Sequence, residues 1–76
     1  MNQCRLQVRI GMAMRLRRKN LGFSQEAFAD HISMHRAYYG ALERGEKNVQ
    51  LKTLERVAAG MKLTAGELVS SAEMVL

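Results

Sequence analysis

Arg36 opens a stretch, HRAYYGALERG (35–45), in which an arginine is followed at helical spacing by residues of little bulk. If that stretch is a helix with Tyr39 and Leu42 turned inward, its outward flank is Arg36, Ala37, Gly40, Ala41 and Arg44. A guanidinium is planar and permanently charged, and its fork donates two parallel hydrogen bonds to a matched pair of acceptors. The O6 and N7 atoms of a guanine edge form such a pair, and the contact is worth roughly 1–3 kcal/mol of discrimination. The methyls of Ala37 and Ala41 would meet a thymine methyl or leave clearance, and Gly40 would let a backbone come close. A rod of this kind suits a groove about 12 Å wide, which admits one helix. The plain alternatives are a solvated charge at Arg36 and small exposed residues beyond it. Tyr38 flanks the same side, where its hydroxyl either reaches a phosphate or covers the core edge.

Other chemistry is poorly provided for. The chain shows no nucleophile–base constellation and no phosphate-cradling glycine loop, and 76 residues leave little room for a cleft, so an enzyme is not expected. One cysteine, Cys4, and two scattered histidines make no metal set and no internal disulfide, so neither metal nor cofactor is expected. No apolar run is long enough to span a membrane, and MNQCRLQV lacks the apolar core of a signal peptide, which leaves a reducing cytoplasm as the default. Net charge is +5, unevenly placed: residues 1–36 carry all of it, and residues 37–76 balance to zero. A basic half on a small domain points to an anionic partner, nucleic acid first. The bland reading is a solvated basic helix.

The elements that must position Arg36 follow from punctuation and period. The chain reads as one domain, 1–76, all-α, with five helices. Its apolar fraction is 47%, without Trp or Pro and with few strand-formers. Helix 1 is expected from about Gln3 to Asn20, with Leu6, Ile10, Met14 and the stem of Arg17 on one face, and Gly22 to stop it. Ser24 is an expected N-cap for helix 2 (about 25–31), with Phe23 and Phe28 as a hydrophobic staple. Helix 3 spans about 36–44 and ends at Gly45. Helix 4 follows Gln50, with Leu51, Leu54, Val57, Ala58 and Met61 as its apolar stripe. Thr64 and Glu67 form a capping box flanked by Leu63 and Leu68, opening helix 5 to about Ser71.

Residues 18–45 resemble the helix-turn-helix of lambda-repressor-like, Cro/CI-type (XRE family) DNA-binding domains. The resemblance rests on Arg18, Gly22, Ser24-Gln25-Glu26, Ala29, Ile32, Leu42 and Glu43-Arg44-Gly45, and extends through LKTLERVAAGMKLTAGEL (51–68). HRAYYGALERG looks most like the controller proteins of restriction–modification systems, which are short, all-helical and dimeric. The resemblance implies base contacts from Arg36, Ala37, Gly40 and Ala41. It implies phosphate contacts from Gln25 at the start of helix 2, from Tyr38, and from Arg44, Lys47 and Asn48 after helix 3. It also implies a structural ion pair between Arg18 and Glu43. The departures are Ser33 where relatives place Gly in the turn, His35 as an unusual cap of helix 3, Ala37 where controllers often place Thr, Val49 for a Pro, and Lys62 for a Gly. Ser33 is therefore expected in a left-handed conformation. His31 is expected to be exposed and inert.

The expectation is a sequence-specific transcriptional regulator acting as a homodimer on a pseudo-palindrome, with double-stranded DNA and RNA polymerase as further partners. Control of a restriction–modification operon and of its own gene is the narrower implication. Dimer contacts are expected from Leu63, Leu68, Val69 and the tail from Met74 to Leu76, although Leu63 and Leu68 equally suit the monomer core. The rival is an antitoxin-type interaction module that also binds DNA.

Overall fold

Residues 5–74 are described by the computed structural model, and they form five helices: α1 (Arg5–Asn20), α2 (Gln25–His31), α3 (Arg36–Glu43), α4 (Leu51–Gly60) and α5 (Ala65–Glu73). Met1 to Cys4, Val75 and Leu76 lie outside the described residues, and with them Gln3 and most of the tail assigned above to a dimer contact. Local chemistry sets most of the boundaries. The Ser24 hydroxyl accepts the Ala27 N–H at 3.0 Å and caps α2. Phe23 meets Phe28 edge-on at 5.4 Å, as a staple should. Thr64 accepts from the Glu67 N–H while the Glu67 carboxylate accepts from the Thr64 N–H, at 3.0 and 2.9 Å.

Four helices stop by the same device, a left-handed residue after the cap whose N–H, with that of the next residue, returns to the last free carbonyls. Gly22 and Gly45 take this position after α1 and α3, and Ser33 and Lys62 take it after α2 and α4 with φ of 54° and 63°. The returning bonds are Ser33 to Asp30 and Met34 to Ala29 in one case, Lys62 to Ala59 and Leu63 to Ala58 in the other. Ser33 thus adopts the conformation its place in the turn foretold. His35 caps α3 without a side-chain hydrogen bond.

The core is built from Met14, Phe28, Tyr39, Leu42, Val57, Met61 and Leu68, all fully buried. Helix α1 runs against both α3 and α5, α2 packs on α3, and α4 packs on α5. Two glycines permit the closest approaches. A side chain at Gly11 would run into the backbone carbonyls of Leu42 and Glu43, and one at Gly60 would run into the Ile32 side chain. Leu51 corrects the expected stripe of α4: it is 80% exposed, because the first turn of α4 stands beyond the core edge. Leu68 corrects the dimer assignment: it is wholly enclosed by the monomer, so no surface remains for a partner. Leu63 and Val69 pack against the core with part of their surface free, and Met74 is 81% exposed.

Candidate nucleic-acid interface

Helix α3 emerges from the molecule only over its first turn. Arg36 and Ala37 are exposed and Tyr38 is half-buried against the core, whereas Tyr39, Gly40, Ala41, Leu42 and Glu43 are all buried. Gly40 and Ala41 are therefore not on the exposed flank expected of them, because the C-terminal half of α3 is buried. The helix packs against both α1 and α2, and a wheel drawn for a free rod misses the burial of its C-terminal half. Gly40 has a different task. A Cβ there would sit 3.2 Å from both Arg44 Nη1 and Gln25 Oε1, so these two side chains converge over the hydrogen that glycine offers.

Beneath this surface lies an ionic lock. Arg18 donates to Glu43 through Nε at 2.7 Å and through Nη2 at 3.1 Å, with the two side chains 8% and 2% exposed. Arg18 Nη1 also donates to the Phe23 carbonyl at 2.9 Å, and Gln25 Nε2 donates to Glu43 Oε1 at 3.0 Å. One buried carboxylate thereby ties α1, the start of α2 and the end of α3 together. Burial pushes the Glu43 carboxyl up, but hydrogen bonds from Arg18 and Gln25, with the Tyr39 hydroxyl close by, outweigh it and hold the group below its ordinary range. The bond to Glu43 raises Arg18 in turn, against its own burial. The Tyr39 hydroxyl is buried beside this pair without a well-aligned partner; desolvation first, and then the Glu43 charge, keep it protonated. A charged pair this dry is worth little against an apolar replacement, but removing one member strands the other.

The segment after α3 is open to solvent. Arg44, Lys47 and Asn48 are exposed, and Arg44 Nε donates to Glu46 Oε2 at 3.0 Å with both side chains 56% exposed. That bond raises Arg44 and lowers Glu46. Gln7 Nε2 donates to the Gly45 carbonyl at 2.6 Å, so α1 steadies the segment's root. Of the residues assigned to phosphates, Gln25 has part of its amide engaged by Glu43, while Tyr38, Arg44, Lys47 and Asn48 keep solvent-facing surface. His31 is exposed as expected, yet its ring lies 5.0 Å from that of Phe23 and 5.9 Å from that of Phe28.

Three side chains make long-range bonds that the sequence does not signal. Arg56 donates to the carbonyls of Ile32 and Ser33, Arg17 donates twice to the carbonyl of Met61 at 3.1 and 3.0 Å, and Gln7 reaches Gly45. These bonds join residues 23 to 44 positions apart, beyond the reach of local spacing. Among the described residues no cluster of His, Cys, Asp or Glu could hold a metal ion, and no helix is long and apolar enough to cross a membrane.

The arrangement has close counterparts. The helix-turn-helix (HTH_3) family model matches residues 14–68. The chain is 39% identical over 69 residues to control protein C.MunI of a Mycoplasma species, covering 90% of this chain and 93% of that protein. It superposes on the restriction-modification controller protein C.AhdI from Aeromonas hydrophila with a TM-score of 0.77 at 34% identity, over 82% of this chain and 94% of that one. The hypothetical transcription factor NHTF from Neisseria gives a TM-score of 0.80 at 36% identity, over 84% and 74% of the two chains.

Proposed function

The chain belongs to the HTH_3 helix-turn-helix family, and from that membership we propose that it is a sequence-specific DNA-binding transcription regulator. The observation that carries the reading is the exposed first turn of α3, with Arg36 and Ala37 presented on a helix whose other end is locked by Arg18, Glu43 and Gln25. A reading head has to hold its direction while its flank stays free of the protein's own side chains. Arg36 is at the end of the recognition helix where base edges are met, and its fork suits a guanine; Ala37 leaves clearance or contacts a thymine methyl. Gln25, Tyr38, Arg44, Lys47 and Asn48 engage phosphates, which fixes register without reading sequence.

Two copies bind a pseudo-palindrome with their α3 helices about 34 Å apart, one turn of duplex. Their contact draws on Val69, Leu63 and Met74 rather than on Leu68. The similarity to C.MunI and C.AhdI supports control of a restriction–modification operon, including the regulator's own gene, with RNA polymerase as a partner at the promoter. Such a protein works in the cytoplasm, needs no cofactor and performs no catalysis.

The test is footprinting on the DNA upstream of its own gene at two salt concentrations. Two protected half-sites are expected, with affinity falling steeply as salt rises because phosphate neutralisation releases counterions. Arg36→Ala should lose about 1–3 kcal/mol of discrimination between this site and random duplex. Equal affinity of the unaltered protein for both duplexes would overturn the reading.

A further inference from the structure

The turn that aims α3 is held from outside the helix-turn-helix. Arg56, on α4, donates through Nε and Nη2 to the Ile32 carbonyl at 3.0 and 2.8 Å, and Nη2 also donates to the Ser33 carbonyl. Ile32 is the cap of α2, and Ser33 is the left-handed residue that reverses the chain. Carbonyls at a helix end have no partner within the helix and must find one elsewhere. Here one planar fork serves two successive carbonyls, and it thereby fixes the two peptide planes that meet at Ser33.

Ser33 is the pivot of the recognition unit. Four residues separate the end of α2 from Arg36, and rotation about Ser33 swings α3 as a whole. Ile32 and Met34 seat the turn on the core, but no side chain caps the first turn of α3, since His35 makes no such bond. The lock between Arg18 and Glu43 grips the far end of α3, leaving its near end to be steadied by the turn. We propose that Arg56 is a positioning residue for sequence reading: its guanidinium sets the angle at which α3 leaves α2, and so the aim of Arg36. This rests on the DNA-binding reading of α3 and adds to it a residue that touches no DNA itself.

The chemistry separates this role from a general effect of charge. Phosphate attraction falls off gradually with distance and tolerates a small rotation of the protein. A bidentate contact to a base edge does not. Loss of the fork should therefore weaken binding to the proper site more than binding to an arbitrary duplex. A lysine keeps the charge but, as a single ammonium, cannot reproduce the planar two-carbonyl grip. The molecule supplies its own control in Arg17, whose fork holds the Met61 carbonyl at the α4–α5 turn rather than at the turn before α3.

The experiment uses the full chain and two duplexes, one enriched from a random pool by the unaltered protein and one a scramble of it. Affinity ratios are measured for Arg56→Met, Arg56→Lys and Arg17→Met, with circular dichroism confirming the fold of each. Both Arg56 variants should lower the ratio by about tenfold, within the range of one bidentate base contact, while Arg17→Met leaves it unchanged. Should Arg56→Met fail to fold, Arg56→Lys still decides. An unchanged ratio in folded Arg56 variants, or an equal fall in Arg17→Met, overturns the proposal while the DNA-binding reading stands. Failure of the unaltered protein to enrich any duplex overturns both.

Discussion

The α2–α3 and α4–α5 pairs are joined by the same backbone and put to different ends. In each, a cap residue (Ile32, Met61) precedes a left-handed non-glycine (Ser33, Lys62), an apolar residue (Met34, Leu63) and an N-cap (His35, Thr64). In each, an arginine from another helix grips the cap carbonyl. The difference lies beyond the turn. The rear unit is closed by a reciprocal capping box, and α5 buries Leu68 and Ala72. The front unit has no side-chain cap on α3, exposes Arg36 and Ala37, and is anchored instead by a buried ion pair at the helix's other end. One turn geometry can thus serve a sealed joint or a projecting one, according to where the stabilising contacts are placed.

If the front unit depends on its buried pair, Glu43→Ala should be the most damaging change in either unit. It leaves Arg18 charged in a dry site and should cost about 3–5 kcal/mol, read from urea unfolding. A loss no larger than that of an exposed pair would show that the anchor lies elsewhere. The pH dependence carries the same signature. Glu43 titrates below its ordinary value of 4.5 in the folded protein, so its contribution is fully present above that value and is lost as pH falls through the depressed one. The unaltered protein should therefore lose stability below about pH 4.5 more steeply than Glu43→Gln, which has no carboxylate to protonate there.

The N-caps test the contrast from the other side. Thr64→Ala should remove about 1 kcal/mol from the rear unit by abolishing the capping box. His35→Ser should add about 0.5–1 kcal/mol to the front unit, where a hydroxyl would serve N–H groups that no side chain now caps. Both are read as shifts in the urea midpoint at constant slope. A neutral His35→Ser would mean that the first turn of α3 is already satisfied and that the front unit is not open in the sense argued.

What the sequence disclosed follows the range of the interactions. Ser24 with Ala27, Thr64 with Glu67 and the stops at Gly22 and Gly45 act within a few residues, so five helices and most of their limits were legible, whereas α5 runs two residues past its expected end at Ser71. The exposure of Arg36 was legible too, because Tyr39 and Leu42 define an inward face. Gly40, Ala41 and Leu51 were misplaced because periodicity gives a face but not which turn of a short helix leaves the core. Leu68 fitted both a core and a contact surface until α1 was seen to lie on α5. Gly11 was passed over, although a glycine inside a helical pattern already signals a close approach. The partners of Arg17 and Arg56 carry no local mark: period placed the Arg17 stem on the inward face, but no spacing shows which carbonyl a long side chain reaches on another helix.

The smallest expected effect is the sharpest test of whether the two turns are equivalent. Ser33 and Lys62 each bear the cost of a left-handed non-glycine, roughly 1–2 kcal/mol. Glycine would relieve it while adding about 0.5–1 kcal/mol of unfolded-state entropy. Ser33→Gly and Lys62→Gly should each stabilise by about 0.5 kcal/mol, measured as matched shifts in thermal midpoint. Equality is the prediction, since φ differs by only 9° between the two and the returning hydrogen bonds are the same. If Lys62→Gly stabilises and Ser33→Gly does not, rigidity at Ser33 is itself part of the native balance, and the grip of Arg56 then holds a pivot that glycine would loosen.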